Sequence, residues 1–284
     1  MISRAQTFGL LLPAVLLLFA TGVIPLALVF YYSTHENFGS EFFFVGAQWF
    51  VQALQSSDFQ YNVLRSLLFS GLALAVEMPL GLFVALKLPR EGRMSSVLVV
   101  LMVIPLLTPN IVVAYLFKAL SLPLFGPLTW IATLFGLDLN LNHIASAWFL
   151  LIVMDCWHWT SLVVLFAHAG LKAIPMEYYR AAWVDAATPW GIFRYVQWPR
   201  LKLMLGIAAI LRFMDSFMIY AEPLVTTHGG PGNATTFVAR AFVQTKKTQF
   251  ELGYGSAISV FCFCIVIIFA LALFKLTMNQ AQRT

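Results

Sequence analysis

Polar positions are scarce along this chain, and they fall between six uninterrupted apolar stretches: Phe8–Tyr32, Ser66–Leu86, Val97–Phe117, Ile144–Gly170, Leu203–Leu224 and Gly253–Phe274. Each is long enough to cross about 30 Å of hydrocarbon as a helix, which takes roughly 20 residues. The first follows Arg4 and runs for 25 uncharged residues, longer than a signal-peptide core and without a small-residue cleavage site, so it is expected to be an uncleaved span. Lipid-exposed backbone must satisfy its own hydrogen bonds, and strands of about ten residues are absent, so the pattern predicts an all-α membrane protein of six helices. No internal repeat and no linker rich in Gly, Ser or Pro divides the chain. Residues 1–284 read as one membrane domain.

Composition agrees and removes other classes. The chain is 61% hydrophobic and 10% charged, with a mean hydropathy of +0.84. Soluble chains carry roughly a quarter of their residues as charges, and disorder needs low hydrophobicity with high net charge. The net charge of +5 is spread thinly and forms no patch that would hold a nucleic acid. Its placement is informative instead. Arg4, Lys87, Arg90, Arg93, Lys172, Arg180, Arg194, Arg200, Lys202, Lys275 and Arg283 fall on one side, against Lys118, Arg240, Lys246 and Lys247 on the other. Positive residues mark the cytoplasmic face, so both termini and the loops 87–96 and 171–202 are expected inside, and 33–62, 118–143 and 225–252 outside. Cys156, Cys262 and Cys264 all lie in apolar runs, and the last two point to different sides of a helix, so neither a disulfide framework nor a metal site is predicted.

The inner loop 171–202 has more local order than a simple connection needs. Pro175 stops the incoming helix, and Met176 to Ala187 are good helix formers with Ala181, Ala182, Ala186 and Ala187 leaving one side bare. Thr188-Pro189 turns the chain, a second short helix is expected from Trp190 to Gln197, and Pro199 is expected to close it. The pattern fits a segment that enters a groove on another protein. It fits equally an amphipathic helix lying on the membrane, anchored by Tyr178, Tyr179, Trp183, Trp190 and Trp198.

Within this loop, Arg180-Ala181-Ala182, Ala186, Val196, Trp198 and Pro199 keep the spacing of a known signature. The loop resembles the Glu-Ala-Ala, three residues, Gly, nine residues, Ile-x-Leu-Pro stretch of permease subunits in binding-protein-dependent ABC importers. Arg180 replaces Glu, Ala186 replaces Gly, Val196 replaces Ile and Trp198 replaces Leu. Asp185 matches the Asp that usually precedes the Gly in sugar permeases. On the outside, Thr227-His228-Gly229-Gly230-Pro231-Gly232-Asn233-Ala234-Thr235-Thr236 is similar to the Thr-Gly-Gly-Gly-Pro-Gly-Asn-x-Thr-Thr stretch of maltose-type carbohydrate permeases, with His228 in place of one glycine. Asn233-Ala234-Thr235 also forms a glycosylation sequon, discounted because the family is prokaryotic. From Met154 to Thr236 the likeness is greatest to permeases for glycerol and related polyols.

The resemblance implies a type I importer permease bundle in the bacterial inner membrane. It implies a pathway shared with a second, homologous permease, two cytoplasmic ATPase subunits and a periplasmic solute-binding protein. A coupling helix at 177–187, carrying Glu177, Arg180, Ala181, Ala182, Asp185 and Ala186, would sit in a cleft of an ATPase, with Pro199 ending the signature. Gly229, Gly230, Pro231, Gly232 and Asn233 would form the periplasmic loop. None of the seven lysines follows a glycine, so the chain lacks a phosphate-cradling G-x-x-x-x-G-K-[ST] loop. ATP and magnesium are therefore expected on the partner ATPases, with no cofactor and no catalysis in this chain.

Ionisable residues inside spans cost about 2.5–3.5 kcal/mol each on insertion scales and need a reason to be there. Glu77, Asp155, His158, Arg212 and Asp215 fall near mid-membrane. Arg212, Asp215 and Glu222 lie within about 80° on an ideal helix, and Pro223 is expected to loosen it. One reading places Asp155, Trp157, His158, Arg212, Asp215 and Glu222 on a solute pathway, with Trp157 or Trp159 packing on the carbon face of a polyol. In the other, Arg212 neutralises Asp215 or Glu77 and stabilises the bundle. The excess of carboxylates favours a neutral polyol or sugar over an anion such as a sugar phosphate. The expected function is uptake of a carbohydrate or polyol, glycerol first, with a sugar or oligosaccharide permease, a glycerol-phosphate permease and an ion-coupled secondary transporter as alternatives.

Overall fold

A computed structural model describes residues 4–38, 41–123, 125–136, 138–248 and 251–281. Arg283, counted above with the inner charges, lies outside the described residues, as do the side chains of Arg4, Lys246 and Lys247. In chain order the elements are α1 (Arg4–Leu18), which continues through a π turn (Phe19–Val23) into α2 (Ile24–Ser33), then strands β1 (His35–Phe38) and β2 (Glu41–Phe44), α3 (Gln48–Gln55) and α4 (Ser57–Lys87). Helices α5 (Arg93–Leu107), α6 (Asn110–Leu120), α7 (Pro127–Leu134) and α8 (Ile144–Lys172) follow. The chain then forms α9 (Met176–Val184), α10 (Pro189–Gly191), a π segment (Ile192–Gln197), α11 (Trp198–Phe217), α12 (Ala221–Thr226), α13 (Val238–Thr248) and α14 (Leu252–Ala281).

Five helical runs are long and apolar enough to cross a membrane: Leu11–Ser33, Ser57–Lys87, Ile144–Lys172, Pro189–Thr226 and Leu252–Leu276. The expected third span, Val97–Phe117, is instead a pair. Helices α5 and α6 meet at 91°, and together they make a sixth candidate span. Pro109 explains the break, because the residue before a proline is pushed out of the α region; Thr108 is extended, with ψ 125°. The second span begins nine residues earlier than its apolar stretch. Ser56 Oγ accepts from Phe59 N–H at 3.4 Å and Asp58 sits in the first turn, so the N-terminal end of α4 is capped and matched to the helix dipole.

The residues cluster into two compact units. One comprises Met1–Tyr61 and Ala241–Ile265. Here β1 and β2 pair antiparallel, His35 opposite Phe44, a hairpin that the hydropathy pattern did not announce. Trp49 Nε1–H donates to His35 carbonyl oxygen at 3.0 Å, and Leu252 N–H donates to Asn37 Oδ1 at 3.2 Å, so the hairpin, α3 and the start of α14 are tied together. Phe50 and Phe59 both pack on Phe261.

The other unit comprises Asn62–Arg240 and Val266–Thr284. Its core is layered. One apolar cluster joins Phe69, Ala73, Val113, Phe117, Leu150, Leu151, Met154, Ile219 and Phe237. A second joins Ala85, Val163, Val164, Ala167, Leu171, Ile174, Tyr179, Leu201 and Leu205. Along α4, α8 and α11 the buried charges Glu77, Asp155 and Arg212 fall between these two clusters in sequence.

Helices α4 and α8 approach closely because Gly81 has no side chain. A Cβ there would lie 2.6 Å from both Cβ and Cγ1 of Val163 and 3.3 Å from Thr160 carbonyl oxygen. At Gly71, one Cβ would meet nothing within 4 Å. We expect Gly81→Ala to cost about 1–3 kcal/mol through overpacking, whereas Gly71→Ala should be neutral or gain up to about 1 kcal/mol from helix propensity. Thermal unfolding of the detergent-solubilised protein checks the pair: the two midpoints should move in opposite directions, or only the first should fall.

Candidate functional site

Arg212 is fully buried and carries most of the polar bonding between the layers. Its Nε–H donates to Glu77 Oε2 at 2.7 Å and its Nη2 to Glu77 Oε1 at 3.0 Å, a bidentate pair with α4. Nη2 also donates to Asp155 Oδ2 of α8 at 2.7 Å, and Nη1 to Asp215 Oδ2 one turn along α11 at 2.9 Å. A planar guanidinium with five donors in a fixed fork is suited to serve several carboxylates at once. The Trp159 ring lies 4.7 Å from Cζ and covers one face of that plane. His158, also buried, packs against Trp159 with ring centroids 4.8 Å apart. Trp157 points elsewhere: it meets Phe117 edge-on at 5.7 Å and is 40% exposed.

Within this cluster exposure separates the members. Glu77 and Arg212 side chains are 0% exposed and Asp155 2%, whereas the Asp215 side chain is 40% exposed. Arg212 does neutralise its neighbours, and Asp215 is the member that also reaches open space.

Glu222 does not share a helical face with Arg212 and Asp215. Helix α11 ends at Phe217, the chain leaves helical geometry at Met218–Tyr220, and Glu222 sits on the short α12. Pro223 causes this one turn upstream of itself, since its ring excludes the carbonyl four residues back and it offers no N–H. Glu222 is 2% exposed, packed where α12 lies against α6, with Oε2 buried and unpartnered.

The loop 171–202 folds differently from its expected outline at one point. Proline 199 opens a helix instead of closing one: Pro189 to Phe217 is one helical run, passing through the π segment into α11 with Pro199 in its first turn. A proline in a first turn lacks only an N–H that has no intrahelical partner, and the wider π turn before it leaves room for the ring. In α9, Tyr179 and Ala182 face inward, while Glu177, Arg180, Ala181, Asp185 and Ala186 are exposed. Trp183 and Val184 are exposed at 58% and 86%. The free face is thus mixed charged and apolar, and Ala182 belongs to the chain's own packing.

On the other side of the layered unit, residues 227–236 form a tight, self-bonded loop. Thr235, fully buried, donates from Oγ1 to Gly230 carbonyl oxygen at 2.8 Å and shares a hydrogen bond with Thr227 Oγ1 at 2.7 Å. Trp148 Nε1–H donates to Ala234 carbonyl oxygen at 3.0 Å, and Val238 N–H to Ser66 Oγ at 3.0 Å. Gly229 has φ +85°, and a Cβ on it would lie 2.6 Å from Thr236 Oγ1. The Gly230–Pro231 bond is cis. Gly232 and Asn233 are exposed at the tip.

A family model for the binding-protein-dependent transport system inner membrane component matches residues 77–283. The chain belongs to that family. The trehalose/maltose transport system permease protein MalF of Thermococcus litoralis is 31% identical over 94% of this chain and 91% of its own length. The arabinooligosaccharides transport system permease protein AraP of Bacillus subtilis is 25% identical over 96% and 89%. A bacterial ABC transporter involved in import of the acidic polysaccharide alginate shares the fold, with a TM-score of 0.79 and 17% identity over 96% of this chain and 95% of that one.

Family membership makes this a multi-pass membrane transport component, not an enzyme, and the described geometry explains two departures from the family's glycine pattern. Ala186 and His228, which stand where the resembling signatures have glycine, have φ +50° and +51°, and they are the non-glycine residues of positive φ among the described residues. Backbone in this region favours glycine. Both turns adopt this backbone although a side chain stands at each.

The cluster around Arg212 sets a stability test. Removing the guanidinium strands two buried carboxylates, so Arg212→Met should cost about 3–5 kcal/mol. Adding Glu77→Gln and Asp155→Asn to that variant should recover part of the loss. Thermal unfolding in detergent reads both, and a triple variant no more stable than the single one would show that the ion pairs are not what holds these helices.

Proposed function

We propose that this chain is a permease subunit of an ATP-driven importer that passes an uncharged carbohydrate or polyol across the inner membrane, with glycerol the first solute to test and a disaccharide or short oligosaccharide the second. In this reading it shares its pathway with a second permease, receives solute from a periplasmic binding protein, and seats α9 on one of two ATPase subunits. The excess of Lys and Arg in loops 87–96 and 171–202 supports placing those loops and both termini inside.

One observation carries the reading. Leu203, Ile207, Leu211 and Met214 form an exposed apolar stripe on α11, and Asp215 lies at its edge, its side chain 40% exposed and near mid-span. A carboxylate open to hydrocarbon at that depth is too costly to persist. This face is therefore covered in the membrane by another protein or by an aqueous path, and Asp215 is where the two would meet. The carboxylate can accept hydroxyl hydrogen bonds, each worth about 1.5–3 kcal/mol to a charged group. Exposed Trp157 supplies a flat apolar surface on the neighbouring helix α8. Glu77, Asp155 and Asp215 against Arg212 leave a formal excess of negative charge, which supports a neutral solute.

Two measurements test the proposal. In membranes holding the full set of subunits, Asp215→Asn should lower uptake of radiolabelled glycerol or maltose at least tenfold, about 1.4 kcal/mol, with assembly intact. Wild-type uptake in that variant would remove Asp215 from the pathway, and the preferred label distinguishes the two solute classes. At the inner face, Ala181→Trp fills an exposed position of α9 without disturbing Ala182 and should abolish solute-stimulated ATP hydrolysis. Unchanged stimulation would place the ATPase contact elsewhere.

A further inference from the structure

The connection between α4 and α5 contributes a side chain that no sequence pattern singled out. Arg90 extends from residues 88–92 to the far end of α8, where its Nη2 donates to the carbonyl oxygens of Leu171 at 2.8 Å and Ile174 at 2.7 Å. Carbonyls in and just beyond a helix's last turn lack intrahelical partners, and a cation there also matches the helix dipole. The same guanidinium lies over the ring of Tyr179 on α9, with Cζ 4.3 Å from the ring centroid. Tyr179 is buried in the second apolar cluster, and its Oη accepts from Gln197 Nε2 at 3.4 Å at the end of the π segment. One side chain thus bridges three pieces of chain: the α4–α5 connection, the end of α8 and the first turn of α9.

That placement constrains an angle. Only Ala173–Pro175 separate α8 from α9, and backbone alone leaves such an elbow free to bend. Arg90 grips the carbonyls on one side of the elbow and the buried face of α9 on the other. We propose that Arg90 is a positioning residue that locks α9 to α8, so that a displacement of α9 by a docked ATPase is delivered to the helix carrying Asp155 instead of being absorbed at the elbow. This rests on the reading of α9 as the ATPase-docking segment.

A lysine keeps the charge but cannot span two carbonyls and stack on a ring at once. In the complete complex, spin labels at the exposed positions Phe149 and Val184 should give a narrow distance distribution, at least doubled in width by Arg90→Lys and Arg90→Ala. With radiolabelled glycerol or maltose as the transported probe, both variants should hydrolyse ATP at half the wild-type rate or better while ATP consumed per solute rises at least tenfold. Tyr179→Phe keeps the stacking surface and should stay near wild type, whereas Tyr179→Leu should widen the distribution. An unchanged width in Arg90→Ala would overturn the proposal. So would parallel loss of transport and hydrolysis, or failure of both Arg90 variants to assemble, which would leave Arg90 a folding role alone. Ala181→Trp separates the two readings: if it abolishes stimulated hydrolysis while the Arg90 variants behave as wild type, docking stands and the lock does not.

Discussion

The buried guanidinium of Arg212 is the interaction on which the layered unit depends. A charge taken out of water is tolerated only with close, well-directed partners, and the partners sit on three different helices: Glu77 on α4, Asp155 on α8 and Asp215 on α11 itself. None of these groups can satisfy its charge alone in an apolar surrounding, so each fixes the rotation of its helix toward the others. The apolar clusters on either side exclude water from the layer and leave the ion pairs weakly screened. Gly81, about one turn along α4 from Glu77, permits the close approach of α4 and α8 beside Val163 of the second cluster. Three helices are thereby set in rotation and in depth by a few atoms.

Much of this was legible before any coordinates. Six apolar stretches gave the helices, because the requirement for internal hydrogen bonding leaves the backbone little choice in lipid. Charges inside those stretches marked the site, because each needs a compensating partner. What a linear pattern cannot supply is which partner. Arg212 and Asp215 are three residues apart and Glu77 could be named as an alternative partner, but that both of them and Asp155 meet one guanidinium follows only from the fold. The prolines misled in a consistent way. A proline acts on the carbonyl four residues before it and on the residue just before it, so the breaks fall upstream of Pro223 and Pro109, and Glu222 leaves the face that an ideal helix would give it. Pro199, in a first turn, causes no break at all. Arg90 carried no signal, since a single arginine in an inner loop looks like one more topology charge.

The two loops flanking the bundle reached their shapes by similar means. Each is built around backbone of positive φ, at Ala186 on one side and at His228 and Gly229 on the other. In the 227–236 loop the cost is offset by hydrogen bonds from Thr227, Thr235 and Trp148, which hold the turn whatever residue occupies the strained position. Conformation in such loops is a property of the network more than of the residue at the turn, which is why the family's spacing persists here where two of its glycines do not.

The π segment at Ile192–Gln197 also sets a rotational phase. Upstream of it lies the α10 turn, and downstream, in unbroken helical register, Arg212. Each residue of an α-helix turns the chain by 100°, and a π turn takes up one residue more within a single wider turn, so α11 is spared the rotation that the extra residue would impose on a regular helix. Loss of one residue within Ile192–Gln197 would straighten the segment to ordinary helix and keep Arg212 toward Glu77 and Asp155, whereas regular helix with every residue retained would turn Arg212 by about 100°, though no residue of the charged layer had been touched. The orientation of this fully buried charge is in this sense written some four turns earlier, in a stretch with no ionic partner of its own in that layer.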